Sequence, residues 1–154
     1  MANRRYLVSG AAGAASSTAA TAGLIKIDNP SSGDLTAAYI RAFSVGPGAA
    51  AEDSNYTVQM KRQTTAGTWT AATPAPGDPD LSASITTAGR VSTAAGSAST
   101  VLGIWGFNQR GGTRIMFDPG GELILADTAS NGLILEYLFV QGSAINYPVI
   151  EFTE

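Results

Sequence analysis

Apolar and polar positions alternate with a period of two along much of this chain, which is the spacing of half-buried strands rather than helices. Leu24 to Ile27 is a short alternating run closed by the turn-rich stretch Asp28 to Gly33. A second run covers Leu35 to Phe43 and is broken by Gly46, Pro47 and Gly48. From Tyr56 to Thr64 the alternation is cleaner, with Tyr56, Val58 and Met60 on one side and Thr57, Gln59, Lys61 and Gln63 on the other. Ala66 and Gly67 turn the chain, and Thr68 to Thr70 starts a return strand. Residues 71 to 98 read as a long loop, with Pro74, Pro76 and Pro79 early and small residues after. That loop is expected to be an extended arm lying over a neighbour.

The last third carries the strongest strand signals. Thr100 to Phe107 is a strand with Val101, Ile104, Trp105 and Phe107. Thr113–Phe117 and Glu122–Ala126 are expected to form a hairpin around Asp118, Pro119, Gly120 and Gly121, because proline presets one turn angle and glycine accepts positive φ. Ala129 to Gly132 reads as a second turn, followed by a long strand Gly132–Val140 that is apolar on both faces except at Glu136. Tyr147 to Phe152 is the last strand. About eight short antiparallel strands with turns between them predict an all-β fold, a β-sandwich or jelly roll, over residues 24–154. No amphipathic helix, internal repeat or membrane-length apolar run stands out.

Residues 1–23 read differently. After Arg4, Arg5, Tyr6 and Leu7, the stretch from Ser9 to Gly23 holds only Ala, Gly, Ser and Thr. The arginine pair echoes a twin-arginine leader, but the Leu/Ile/Val-rich core of a secretory leader is missing and Met1 is present. Such a segment has little to bury on its own. The expectation is an extended N-terminal arm ordered by a docking surface, with Arg4, Arg5, Tyr6 and Leu7 as the partner-binding tip.

Composition narrows the function. The chain has 154 residues, enough for one domain with its own core. Charged residues make up 14%, low against about 25% in typical globular chains, and small residues fill the difference. Such a surface suits packing against neighbours. The net charge of −3, with the nine basic residues scattered apart from Arg4–Arg5 and Lys61–Arg62, argues against a nucleic-acid partner. The absence of cysteine removes disulfides and thiolate metal sites, and the absence of histidine removes the commonest general base and metal ligand.

Little catalytic chemistry remains. Ser–His–Asp and Cys–His arrangements are impossible. Lys26 and Lys61 fall on alternating strands, where an outward lysine is the simpler reading than a Ser–Lys dyad. Glu52–Asp53 and Asp78/Asp80 sit in loops without the buried, convergent geometry of a carboxylate pair. A calcium site on Asp78 and Asp80 competes with a simpler aspartate-rich turn. Asn55-Tyr56-Thr57 is a formal glycosylation sequon. Glu136 is expected either to pair with an arginine such as Arg114 or to face solvent from an edge strand. Trp69, Trp105, Phe107, Tyr137, Phe139 and Tyr147 read first as core and second as a sugar-stacking platform. The expectation is a non-enzyme without cofactor or metal.

Three segments carry a resemblance. They are Arg62 to Thr68 with the prolines and aspartates of 74–80; Phe107 to Arg110 with Arg114 and Asp118 to Leu123; and Ser130 to Leu135. Together, over residues 35–140, they resemble small jelly-roll decoration (cement) proteins of tailed-phage virions. The resemblance implies a structural role at the capsid surface, the major capsid protein as partner, a homo-oligomer (trimer or dimer), and no nucleic acid or membrane partner. The alternative is a tail- or fibre-associated module recognising a host glycan.

Overall fold

A computed structural model describes residues 4–10, 13–15, 23–28, 38–48, 53–65, 67–84, 86–94, 98–125, 132–141 and 144–154. The regular elements among them are all strands: β1 (Arg5–Ser9), β2 (Gly13–Ala15), β3 (Gly23–Asp28), β4 (Ala38–Pro47), β5 (Asn55–Gln63), β6 (Thr68–Ala72), β7 (Ala75–Pro76), β8 (Thr87–Ala94), β9 (Ala98–Asn108), β10 (Thr113–Met116), β11 (Leu123–Leu125), β12 (Leu133–Val140) and β13 (Ala144–Thr153). They form two antiparallel sheets, as expected of a β-sandwich. Sheet A has seven strands, ordered β10-β4-β13-β1-β7, with β11 also on β4 and β2 also on β13. Sheet B has six, ordered β6-β8-β3-β12-β5-β9.

The pairing is nested. β1 pairs with β13, β3 with β12, β4 with β10 and β11, and β5 with β9. Between β5 and β9 the chain adds β6, β7 and β8, which extend both sheets at one side.

Alternation delivers the core. Tyr6, Val8, Ile40, Phe43, Val45, Ile150 and Phe152 face inward from sheet A, and Ile25, Ile27, Tyr56, Val58, Met60, Leu133, Leu135 and Tyr137 from sheet B, all nearly without solvent contact. Phe43 of β4 meets Trp105 of β9 edge-on, with ring centroids 4.8 Å apart, and ties the two layers together. Tyr56 stacks on Phe107 across β5 and β9 at 5.8 Å.

Several sequence expectations are corrected. The domain does not begin at residue 24. β1 is an interior strand of sheet A, bonded to β13 from Arg5↔Thr153 to Ser9↔Val149 and to β7 at Tyr6 and Leu7. Five residues with two inward apolar side chains, Tyr6 and Val8, suffice to make a strand once a partner strand stands on each side. Residues 71–98 are not simply a loop lying over a neighbour: β8 pairs with β3 and β6. The span from Gly77 to Thr86 is tied to the chain's own strands. The Gly77 amide donates to the Arg5 carbonyl (2.8 Å), and Ser84 Oγ and Thr86 Oγ1 both donate to Glu154 Oε1 (2.5 Å each).

The expected 113–126 hairpin is also corrected. The turn exists, with the Gly121 amide donating to the Asp118 carbonyl (2.8 Å) and Gly120 at φ +90°. Its flanks do not pair with each other. Both lie along β4, Met116 opposite Ala42 and Leu123 opposite Ile40, so the turn is an outward loop in one interrupted strand. Arg41 holds the interruption: its carbonyl accepts from the Phe117 amide and its guanidinium pairs with Glu122. The expected turn at 129–132 lies mostly outside the described residues.

Because Tyr6 is fully buried and stacks on Phe152 at 5.6 Å, Tyr6→Ala is expected to destabilise the domain by about 3–4 kcal/mol in denaturant titration. Tyr6→Phe removes only the hydroxyl, which donates to the Ser82 carbonyl, and is expected to cost about 1 kcal/mol. An arm-tip role for Tyr6 predicts no loss from either.

Candidate interaction surfaces

The four residues expected at an arm tip spend much of their capacity inside the molecule. Tyr6 is buried. Arg4 Nη1 donates to Ser82 Oγ (2.9 Å), and Arg5 forms an ion pair with Glu151 (2.9 Å). Leu7 is half-buried opposite Glu151. Arg4 and Arg5 remain exposed, Arg5 on the outer side of sheet A and Arg4 against Ser82, rather than at the end of an arm.

The outer face of sheet A is the most featured surface. Ser44, Val149 and Arg114 stand opposite one another across β4, β13 and β10. With Gly46, Gly112 and Tyr147 they line an open groove of about 530 Å³. Gly112 has φ +60°, and a Cβ there would come within 2.7 Å of the Val45 carbonyl, so only glycine fits at the groove wall. Tyr147 is exposed beside it. Arg114 pairs with Glu151 (3.3 Å), which also holds Arg5. Further along, Tyr39 and Ile124 oppose each other and Met116 is the most exposed large apolar side chain among the described residues, 69% open. Glu122 Oε2 accepts from the Gly120 amide (2.7 Å). Its own backbone amide, then that of Gly120 and the charge of Arg41, hold this carboxyl below the usual range, against the opposing effect of burial.

Glu136 corrects both of its expected settings. β12 is an interior strand between β3 and β5, and Glu136 is buried on the outer face of sheet B. Its carboxylate pairs with Lys61 and accepts from Gln59 Nε2 (2.8 Å), both on β5. Arg114 is on the other sheet. Sequence alternation placed Lys61 outward correctly but could not show that its diagonal neighbour is an acid.

Among the described residues, no group of three or more acids is placed to hold a metal ion. Asp78 Oδ1 accepts from the Asp80 amide (3.0 Å), which is the turn reading of that pair. Asp53 Oδ1 accepts from Asn108 Nδ2 (2.6 Å), while Glu52 lies outside the described residues. The aromatics divide. Tyr137 is core, Trp105 and Phe107 pack against it, Trp69 is half-buried, and Phe139 and Tyr147 are exposed. No described helix is long and apolar enough to cross a membrane. Compared with protein-family models, curated proteins and solved structures, the chain matches none of them.

Two buried polar pairs give measurable signatures. Lys61→Met leaves the Glu136 carboxylate with Gln59 alone and is expected to cost about 2 kcal/mol, less than a fully enclosed pair because Lys61 is partly exposed. Adding Glu136→Gln is expected to recover part of the loss, as read by a double-mutant cycle in urea.

Tyr137 is fully buried, and its hydroxyl oxygen accepts from Asn146 Nδ2 (2.5 Å). Burial pushes its phenol up to about 12. The unfolded chain releases this proton near pH 10, so above that pH it binds fewer protons than the folded one. Stability is therefore expected to fall between about pH 10 and 12, by about 2–3 kcal/mol in all. Tyr137→Phe should flatten that alkaline slope in unfolding curves. It should also lower stability near neutrality by about 1–2 kcal/mol, because Asn146 loses its acceptor.

Proposed function

We propose that this chain is a structural virion protein that binds the outer surface of a phage capsid and stabilises the shell as a cement protein. The observation that carries the reading is the strand order. The nested pairs β1–β13, β3–β12, β4–β10/β11 and β5–β9, split over two facing sheets, match the connectivity of an eight-strand jelly roll, with β6–β8 inserted between β5 and β9. Jelly rolls serve capsid proteins and lectins alike, so fold alone does not choose the role. The resemblance of residues 35–140 to decoration proteins favours the capsid. So does a weakly charged chain whose featured surface is a broad sheet face rather than an enclosed pocket.

A cement gains stability by adding modest contacts at many symmetry-related joints. The outer face of sheet A suits that geometry: Tyr39, Met116, Ile124 and Tyr147 offer exposed apolar area among the ion pairs of Arg5, Arg114 and Glu151. The second reading, glycan recognition by a tail or fibre module, is favoured by one feature of the same face. Tyr147 stands exposed over the groove beside Ser44 and Arg114, an aromatic with polar side chains converging.

The deciding experiment is a reconstruction of virions that carry this chain, with its copies counted. Many copies at symmetric positions on the shell, with sheet A against the capsid, are the expected result. Copies confined to the tail would overturn the cement reading in favour of the second.

A further inference from the structure

Each sheet of a sandwich has two edges, and an unpaired edge is a template for another strand. Three of the four edges here are blunted. β7 has two residues, one of them Pro76. β6 has five and lies mostly exposed, with threonines at Thr68 and Thr70. The β10–β11 edge carries Arg114 and is interrupted by the Asp118–Gly121 turn. β9 differs. It has eleven residues, no charge and no proline, and among the described residues it pairs on one side only, with β5. Val101 and Ile104 point outward from it, 47% and 54% exposed, and Phe139 lies two strands in at 53%.

The backbone shows which groups are free. From Gly103 to Asn108 the register with β5 runs without a break, whereas shifts occur at 98–103. The Gln109 amide donates to the Ser54 carbonyl (2.9 Å). By the alternation of an antiparallel ladder, Phe107, Trp105 and Gly103 turn their amides and carbonyls to β5, and Ile104 and Gly106 turn theirs to the open edge, while the Asn108 carbonyl accepts from the Gly111 and Gly112 amides.

We propose that β9 is a homodimer interface, pairing antiparallel with β9 of a second copy about a twofold axis at Trp105. This inference does not rest on the virion reading. The occupant is a second copy because the regular stretch is complementary to itself. With Trp105 on the axis, Ile104 stands opposite Gly106, so on the outer face each isoleucine meets a glycine, while on the inner face the Trp105 indole already lies over Gly103 of its own strand. The Ile104/Gly106 pairs are those whose backbone groups face the edge, so each exchanges both hydrogen bonds. No like charges meet along the seam, because β9 has none. The two six-stranded sheets become one continuous sheet, and the exposed apolar side chains of its outer face lie beside the joint.

The absence of cysteine in the chain makes a clean test. Opposed Cα atoms in a hydrogen-bonded pair are about 5.5 Å apart, inside the range of about 4.4–6.8 Å that a disulfide spans. A Cβ at Gly106 meets nothing nearer than 3.9 Å, so Gly106→Cys fits the fold. Ile104→Cys and Gly106→Cys, mixed and oxidised with one carrying a mass tag, are expected to form the mixed disulfide. Each alone is expected to crosslink poorly, because diagonal neighbours lie about 7–8 Å apart. The wild-type chain at about 100 μM, where a Kd near ~10 μM leaves most of it associated, is expected to sediment at twice the monomer mass. Ile104→Lys should weaken association by about tenfold or more while leaving the thermal midpoint nearly unchanged, since Ile104 is exposed in the monomer. A wild-type monomer at that concentration, a dimer indifferent to Ile104→Lys, or crosslinking equally efficient within each single variant would overturn the proposal.

Discussion

Strands β1 and β13 come from opposite ends of the described chain and pair residue for residue inside sheet A. Arg4 and Glu154 continue the ladder, each amide donating to the other's carbonyl. This contact has the largest loop-closure cost in the fold, because nearly the whole chain lies between the partners. It also fixes everything nested within it. Once β1 lies beside β13, β4 lines the other side of β13, and the outer segment 113–125 lines β4 in turn. The 77–86 connection is then held by both ends at once, through Arg4, Arg5 and Tyr6 on one side and Glu154 on the other. Cutting away the first residues removes an interior strand, not an appendage.

The few charges of the chain are used locally. Arg5, Arg114 and Glu151 share one site on the outer face of sheet A, Arg41 and Glu122 close the β10–β11 interruption, Lys26 pairs with Asp28, and Lys61 pairs with Glu136. The pairs of exposed Arg5 and Arg114 with Glu151 contribute about 0–1 kcal/mol each. The greater effect of the charges is on register. Glu136 beside Gln59 and Lys61 fixes how β12 meets β5, since a one-residue slip would turn the carboxylate toward the apolar core.

The sequence made the strand class and most inner-face residues legible, because alternation is a local signal. Tyr56, Val58 and Met60 could be read directly, and so could the strand at 133–140. Pairing was not legible. The Asp118–Gly121 turn carried correct turn chemistry, yet its flanks bond to β4, and nothing local in Thr113–Leu125 distinguishes a hairpin from one interrupted strand. β8 was missed because Thr87–Ala94 is built of small residues, whose burial depends on neighbours supplied by β3 and β6. Arg4, Arg5, Tyr6 and Leu7 look like an arm tip in the sequence because the low-complexity stretch after them hides the short strand Arg5–Ser9. Glu136 was recognised as unusual, but its partner is a cross-strand diagonal that no spacing rule gives.

What remains at the surface is a division of labour between a face and an edge. The outer face of sheet A mixes exposed apolar side chains with ion pairs, a combination that tolerates water and also packs against a flat partner. The β9 edge has neither charge nor proline to discourage pairing. A chain with 14% charged residues has little long-range repulsion to keep such an edge apart from its copies. The uneven treatment of the four edges is therefore itself informative. Where three are shortened, interrupted or capped by proline, a longest edge that none of the described residues pairs is natural for a subunit whose edge is occupied by its copy.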